Sequence, residues 1–134
     1  MSRILNGELI YFMVAFEPDE KLLRAVRNWP NFWKKDGRIS SAAFKTRTTE
    51  TGTSVFRQAG RNLKECVEDV SKKLEGAVVS VTYDICQKSK IDVIETNPQT
   101  YHCELTDSEL TEGTTALTKA QLQNLADFSV VEKK

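Results

Sequence analysis

The order of apolar and polar residues along the chain predicts several short strands and one main helix. Residues 9–16 are apolar or aromatic without interruption, which is typical of a buried strand, and Pro18 ends it. Residues 79–85 place Val, Val, Tyr and Ile at every second position, the period of a half-buried strand. Further short strands are predicted at residues 54–57, 91–95, 100–105 and 128–131. Residues 21–28 fit a short strand or a helical turn, and the strand is favoured. Between them the pattern predicts irregular chain at 29–35, where Pro30 opposes a regular element, a helical turn or loop at 39–45, and a mobile polar loop at 46–53.

The clearest helical pattern covers about residues 59–75. Its apolar residues recur at helical spacing and predict one buried face: Leu63, Cys66, Val67, Val70 and Leu74. Gly76 follows at a position that often caps the end of a helix.

Two later segments carry the sequence of a capping box, in which a threonine side chain and a Glu or Gln three residues later satisfy each other's backbone N–H groups. The first is Thr106 with Glu109, which predicts about one helical turn before Gly113. The second is Thr118 with Gln121, which predicts a short C-terminal helix.

Strands on both sides of one helix predict an α+β fold: a single domain over residues 1–134, with a mainly antiparallel sheet packed on one long helix and a short C-terminal helix. The longest apolar run has eight residues, against about twenty in a membrane helix, so we expect no membrane interaction. No small-residue cleavage site follows that run, so we expect no signal peptide.

The cysteines add information on the compartment. Cys66, Cys86 and Cys103 cannot all pair within the chain, and this odd number predicts reduced thiols in a cytoplasmic protein. No Cys-x-x-Cys spacing occurs and the chain has one histidine, so we expect no metal site. The phosphate-binding loop of NTPases and the dinucleotide fingerprint are both absent from the sequence, and we expect no cofactor.

The charges are segregated along the chain although Lys plus Arg and Asp plus Glu both total 19. Residues 21–64 hold eleven basic and two acidic residues, a local charge of +9, and residues 92–132 hold eight acidic and one basic residue, a local charge of −7. Basic side chains with aromatic ones between them are typical of surfaces that bind phosphates and stack bases. The aromatic residues of the basic block are Trp29, Phe32, Trp33, Phe44 and Phe56.

A binding surface requires several arginines of this block to converge, because the planar guanidinium grips phosphate through two donors. Two alternatives remain open: the basic and acidic blocks could face each other across the fold, or the basic residues could lie on separate solvated faces. The candidates for convergence are Arg24, Arg27, Arg38, Arg47, Arg57 and Arg61.

His102 is the candidate for acid–base chemistry. On a strand, His102 and Glu104 point to the same face, where the carboxylate could orient the imidazole for proton transfer. The alternative is a structural histidine that bonds a backbone carbonyl. Ser40, Ser41 and Ser54 are candidates for phosphate contacts or for capping loops.

Three blocks of the sequence are R-I-S-S-A-A-F-K at residues 38–45, S-V-F-R at 54–57 and Y-H-C-E at 101–104. In this order they resemble a family of small bacterial proteins with blocks R-x-S-S-x-A-F-K, S-V-x-R and Y-H-x-E, and the resemblance covers roughly residues 22–130. Members often carry an acid where this chain has Phe56, so a role of that acid cannot carry over. The resemblance implies a bacterial or phage-like cytoplasmic protein and points to one polar set: Arg38, Ser41, Ser54, Arg57, Arg61, His102 and Glu104.

Three hypotheses of function follow. The first is a binding module in which Arg38, Ser41, Ser54, Arg57 and Arg61 hold an anionic ligand: a nucleotide, a nucleic acid or the acidic surface of a protein. The second is an enzyme acting on a nucleotide-like or phosphate substrate, with His102 as general acid or base and Glu104 orienting it. The third is a protein–protein component of a paired bacterial system, with Trp29, Phe32 and Trp33 as anchors, unless these three aromatic side chains cover the core.

Overall fold

The computed structural model describes residues 15–134 with their side chains and, before them, the backbone of two strands, β1 (Ser2–Leu5) and β2 (Glu8–Tyr11). These two strands pair antiparallel in a separate two-stranded sheet. Part of the strand predicted at residues 9–16 is therefore β2. The prediction that this strand is buried concerns side chains outside the described residues, as do its positions 12–14. Residues 15 and 16 are described and are not in a strand.

Six strands form one antiparallel sheet in the order β6-β7-β4-β3-β5-β8, which confirms an α+β fold with a mainly antiparallel sheet. The strands are β3 (Lys21–Val26), β4 (Thr53–Arg57), β5 (Ala77–Thr82), β6 (Ile91–Asn97), β7 (His102–Asp107) and β8 (Val130–Lys133). The described helices are α1 (Leu63–Ser71), α2 (Tyr83–Lys88) and α3 (Lys119–Phe128), with two 3-10 turns at Pro30–Phe32 and Ser41–Phe44.

The sheet is covered on both sides because successive side chains of a strand point to opposite faces. Leu23 packs with the buried face of α1, formed by Cys66, Val67 and Val70. Its neighbour Leu22 belongs to the larger core on the other face, which also takes in residues of α2, α3 and the second 3-10 turn. Two core layers therefore meet at β3, the strand in which the candidate site begins.

The helix predicted at 59–75 is shorter at both ends, and the one long helix of the predicted fold is replaced by short helices. Ala59 and Gly60 have φ values of +53° and +73°, outside the helical region, and the side chain of Asn62 accepts a hydrogen bond from the backbone N–H of Glu65. α1 therefore begins at Leu63 and ends at Ser71. Gly76 does not cap it.

The strand predicted at 79–85 begins earlier and ends at Thr82. The hydroxyl of Thr82 accepts a hydrogen bond from the N–H of Ile85 and so begins α2. The expected alternation fails as well, because Ser80 is buried and donates to the carboxylate of Glu132.

Of the two predicted capping boxes, the structure confirms the second. Thr118 accepts from the N–H of Gln121, whose side chain accepts from the N–H of Thr118, at the start of α3. Thr106 lies in β7, and no helix begins there. The turn there is closed by Asp107, which accepts from the N–H groups of Glu109 and Thr111.

The remaining elements are close to their predicted positions. The strands at 21–28, 54–57, 91–95, 100–105 and 128–131 are present with ends shifted by a few residues. Pro30 begins a 3-10 turn where irregular chain was expected, because proline fits the first position of a helical turn. Among the residues that the structure describes, no helix has the length and apolar character needed to cross a membrane.

Candidate anion-binding cleft

The site begins where β3 and β4 part. They pair only at Leu22 with Arg57 and at Leu23 with Phe56, although both strands continue further. A cleft of about 810 Å³ opens beside this point, between the end of β3, the segment 29–32 and the segment 42–49. The incomplete pairing of the two strands thus leaves room for a site next to the centre of the sheet.

Four cations line the cleft, and no acidic residue is among its lining residues. Arg24 and Arg27 come from β3 and the residues directly after it, and Lys45 and Arg47 come from the opposite wall. The sequence prediction that arginines of the basic block converge therefore holds for Arg24, Arg27 and Arg47.

Arg24 bridges the gap between the diverging strands. Its Nε donates to the carbonyl oxygen of Ala43 at 2.8 Å, and its Nη1 donates to the carbonyl oxygen of Ser54 at 2.7 Å. Burial, and then repulsion from Arg47, lower the pKa of Arg24 to about 10, while Glu50 acts against this shift. Among the described residues, no carboxylate lies within the 4.0 Å of an ion pair with Arg24.

Arg57, on the neighbouring strand, is neutralised within the protein. Its side chain is 1% exposed and its guanidinium donates to Glu20 at 2.7 and 2.8 Å and to Glu95 at 3.1 Å. The guanidinium carbon also lies 3.8 Å from the centre of the Phe16 ring. Arg57 was a predicted ligand-binding residue, but the structure encloses its charge between the buried carboxylates of Glu20 and Glu95, and it is not among the residues that line the cleft.

An aromatic pair lies in the same cleft as the four cations. The rings of Trp29 and Phe32 stack with centroids 5.4 Å apart, and the guanidinium carbon of Arg27 lies 5.4 Å from the centre of the Trp29 ring. Trp29 is 53% exposed, whereas Phe32 and Trp33 pack against the core. Of the three aromatic residues proposed as anchors, Trp29 is the exposed one.

A smaller recess of about 200 Å³ shares Arg24 and Arg47 with the cleft. It adds Ser54, Lys73 and one acid, Glu50. Ser54 is thus the one predicted ligand-binding residue that lies at the edge of the cationic region.

Ser54 also joins the recess to His102. Its hydroxyl lies 3.1 Å from Nε2 of His102, and the hydroxyl of Thr96 contacts Nδ1 on the other side of the ring. The donor and acceptor roles of both contacts depend on which ring nitrogen carries the proton. With the proton on Nδ1, Thr96 accepts from that N–H and donates its own proton to the carbonyl oxygen of His102 at 3.2 Å. In that tautomer Nε2 accepts a hydrogen bond from the hydroxyl of Ser54.

Glu104 does not orient this imidazole. It accepts a hydrogen bond from the hydroxyl of Thr51 at 3.0 Å, although it shares the face of β7 with His102 as the sequence predicted. The role given to Glu104 at His102 is filled by Thr96, which the sequence analysis missed. The sequence around His102 gives no indication of Thr96, because Thr96 lies in another strand and reaches the imidazole only through the pairing of β6 with β7.

The other predicted ligand residues do not line the cleft, although Ser41 directly precedes the lining residues Ala42 and Ala43. Arg38 pairs with Asp36 at 2.8 Å and lies near Val131 of β8, at the opposite end of the sheet from β7. The guanidinium carbon of Arg61 lies 3.5 Å from the centre of the Tyr101 ring. Ser41 begins the second 3-10 turn and is half-buried.

The sequence does contain a signal for Arg24, which the site prediction did not use. It lies inside the apolar strand sequence Leu22-Leu23-Arg24-Ala25-Val26, and an arginine on the inward face of a strand requires partners. Lys45 and Lys73 carry no such signal, because neither lies inside an apolar strand sequence.

Comparisons of the chain with protein-family models, curated proteins and solved structures give no match. The resemblance to a bacterial family therefore stays a prediction. Within residues 15–134, no three His, Cys, Asp or Glu side chains are grouped in a way that could hold a metal ion.

Proposed function

We propose that this protein is a binding module for a phosphate-bearing ligand, a nucleotide or a nucleic acid, and that the ligand lies in the cleft beside β3. The observation that carries the proposal is Arg24, a largely enclosed guanidinium that no carboxylate of the described chain pairs with. A cation largely removed from water without a carboxylate paired to it is costly, and an anion in the cleft would reduce that cost.

The other cations that line the cleft also favour the entry of an anion. Arg47 repels Arg24, and Arg27 and Lys45 line the same cleft, so a multiply charged anion there would lower the electrostatic cost of gathering these cations. Arg24 uses Nε and Nη1 for backbone carbonyls, so Nη2 retains donors for phosphate oxygens. We therefore assign ligand binding to the four cations that line the cleft: Arg24, Arg27, Lys45 and Arg47. They take the place of four residues of the first hypothesis: Arg38, Ser41, Arg57 and Arg61.

The test is binding of a labelled oligonucleotide at several salt concentrations, with Arg47→Gln and Lys35→Gln as a matched pair. Both side chains are exposed cations, and only Arg47 lines the cleft. We expect wild-type affinity to fall steeply with salt, and Arg47→Gln to reduce the slope of log K against log salt by about 0.7 while Lys35→Gln leaves it unchanged. Affinity that is independent of salt, or equal effects of the two variants, would overturn the proposal.

A second candidate function is favoured by the hydrogen bond between Ser54 and His102. When His102 carries its proton on Nδ1, Nε2 can take the proton of Ser54 as that oxygen attacks the phosphorus of a phosphate ester held by the recess. The bond from phosphorus to the ester's alcohol oxygen then breaks, and the alcohol leaves with the proton that Nε2 has taken up. A fluorophosphonate reagent tests this: it should label wild-type protein at Ser54 and spare Ser54→Ala. No label on folded wild-type protein would remove this candidate.

The third hypothesis, a component of a paired bacterial system, stays a prediction. Trp29 alone of its three anchors is largely exposed, and an exposed tryptophan beside four cations suits a base as well as a protein partner. The cytoplasmic setting stays a prediction as well.

A further inference from the structure

Resting on the proposed function, we infer that the ligand is a single-stranded nucleic acid and that one of its bases stacks on Trp29. The cleft combines two features that bind different parts of a nucleotide. Its cations suit phosphate groups, and the exposed indole suits the flat face of a base.

The indole is held in place for such a contact. Phe32, which packs on the core, stacks against Trp29 at 5.4 Å and limits the movement of the larger ring. With 53% of its surface exposed, Trp29 offers more area than Phe32 and Arg27 cover. Leaving so large an apolar surface in water is unfavourable, and stacking against a base would bury it.

The charge of the cleft favours several phosphates over one. A single phosphate monoester carries about −1.5 to −2 near neutral pH, which is less than the four positive charges that line the cleft. A short strand brings one negative charge with each nucleotide and so can neutralise all four. Asn31, Thr48 and Thr49 also line the cleft and offer polar groups to the sugar–phosphate chain.

A single strand suits this site better than a duplex because the bases of a duplex are already paired and stacked on each other. A base can reach Trp29 only if its face is free. An acidic peptide could satisfy the cations but would leave the indole without a flat partner. These two ligands are therefore outcomes of the test.

The experiment compares Trp29→Ala with Phe128→Ala. Both residues are exposed aromatics, at 53% and 60%, but Phe128 lies at the end of α3 and does not line the cleft. Binding of a fluorescein-labelled ten-nucleotide oligo(dT) is measured by anisotropy at low salt. Inorganic polyphosphate, a duplex of the same length and poly-glutamate serve as competitors, and the quenching of tryptophan fluorescence is recorded with unlabelled oligo(dT).

We expect Trp29→Ala to weaken oligo(dT) binding roughly 5- to 150-fold and to leave polyphosphate affinity unchanged, with no effect of Phe128→Ala. Oligo(dT) should quench wild-type fluorescence and polyphosphate should not, and the quenching should be lost in Trp29→Ala. Circular dichroism checks that both variants fold, and quenching of the wild-type protein tests the stacking without any substitution.

The outcomes separate this inference from the proposed function. If neither oligo(dT) nor polyphosphate binds, the proposed function fails. If polyphosphate binds and Trp29→Ala leaves oligo(dT) affinity unchanged, the proposed function stands and the stacking inference is overturned. Tighter binding of the duplex or of poly-glutamate than of oligo(dT) would overturn the choice of a single strand.

Discussion

Arg24 and Arg57 lie on adjacent strands, and their different partners give them different roles. Arg57 is enclosed with Glu20 and Glu95, so its charge is balanced inside the folded chain. Arg24 is bound through backbone carbonyls, which accept hydrogen bonds but do not cancel its charge. An arginine with buried carboxylate partners is thus part of the fold, whereas the half-buried Arg24, held by backbone carbonyls, is the arginine that we propose for an external anion.

Replacing Arg57 should therefore affect stability strongly. Arg57→Met removes the cation and leaves Glu20 and Glu95 buried without a counter-charge, so we expect a loss of about 3–5 kcal/mol in the free energy of unfolding. Urea denaturation followed by circular dichroism measures the change. Arg38→Met is the control, because the pair of Arg38 with Asp36 is exposed to solvent and should contribute little to stability. Equal losses in the two variants would contradict the assignment of Arg57.

At the scale of elements, the sequence predicted which segments are strands better than it predicted where helices begin and end. The pattern Thr-x-x-Glu or Thr-x-x-Gln occurs at both Thr106 and Thr118, and only the second begins a helix. Thr106 is held in β7 by pairing with Asp92 of β6, and the sequence near Thr106 does not reveal a partner so far away. A local sequence pattern determines the secondary structure of a segment only where pairing with a distant strand does not compete with it.

The turn after β7 should depend on pH through Asp107. Hydrogen bonds, led by that from the backbone N–H of Thr111, lower the pKa of Asp107 from 3.8 to about 2. A lowered pKa means that the ionised form stabilises the fold above pH 4, and that this contribution is lost as the pH falls from about 4 to about 2. We expect Asp107→Asn to lower the Tm at pH 7 and to differ much less from wild type at pH 2. An undiminished difference at pH 2 would contradict this account.

Gly76 shows how closely β5 approaches the end of β3. Its φ of +146° and the position of Val26, whose carbonyl oxygen would lie 2.2 Å from an added Cβ, leave no space for a side chain. Gly76→Ala should therefore prevent folding or lower the Tm sharply. Gly37→Ala is the matched control: its φ of +87° is also positive, but nothing lies within 4 Å of an added Cβ, so only backbone strain of roughly 1–2 kcal/mol applies. Thermal melts compare the two, and similar melting temperatures would contradict the close approach.

At the scale of the whole molecule, the basic and acidic blocks do not neutralise each other. Among the described residues, two ion pairs join them, Lys21 with Glu132 and Arg57 with Glu95. Most of the basic block is left without acidic partners from the other block, and four of its members line one cleft. The sequence could show that the charges are segregated, but which cations converge depends on where β3 and β4 stop pairing, and that is a property of the sheet.

The three thiols report on the opening of the whole molecule. Cys66, Cys86 and Cys103 are buried, and burial raises the pKa of Cys86 and of Cys103 to about 12, so few thiolates are present at pH 8. We expect Ellman's reagent to react with all three thiols in urea and very slowly with the folded protein, at a rate set by unfolding. Because a ligand that binds only the folded state stabilises it, oligo(dT) should slow the reaction further in wild type and less in Arg47→Gln. Rapid reaction of one thiol in the folded protein would show that the core opens locally, and the effect of oligo(dT) on that thiol would then reveal whether the opening lies near the cleft.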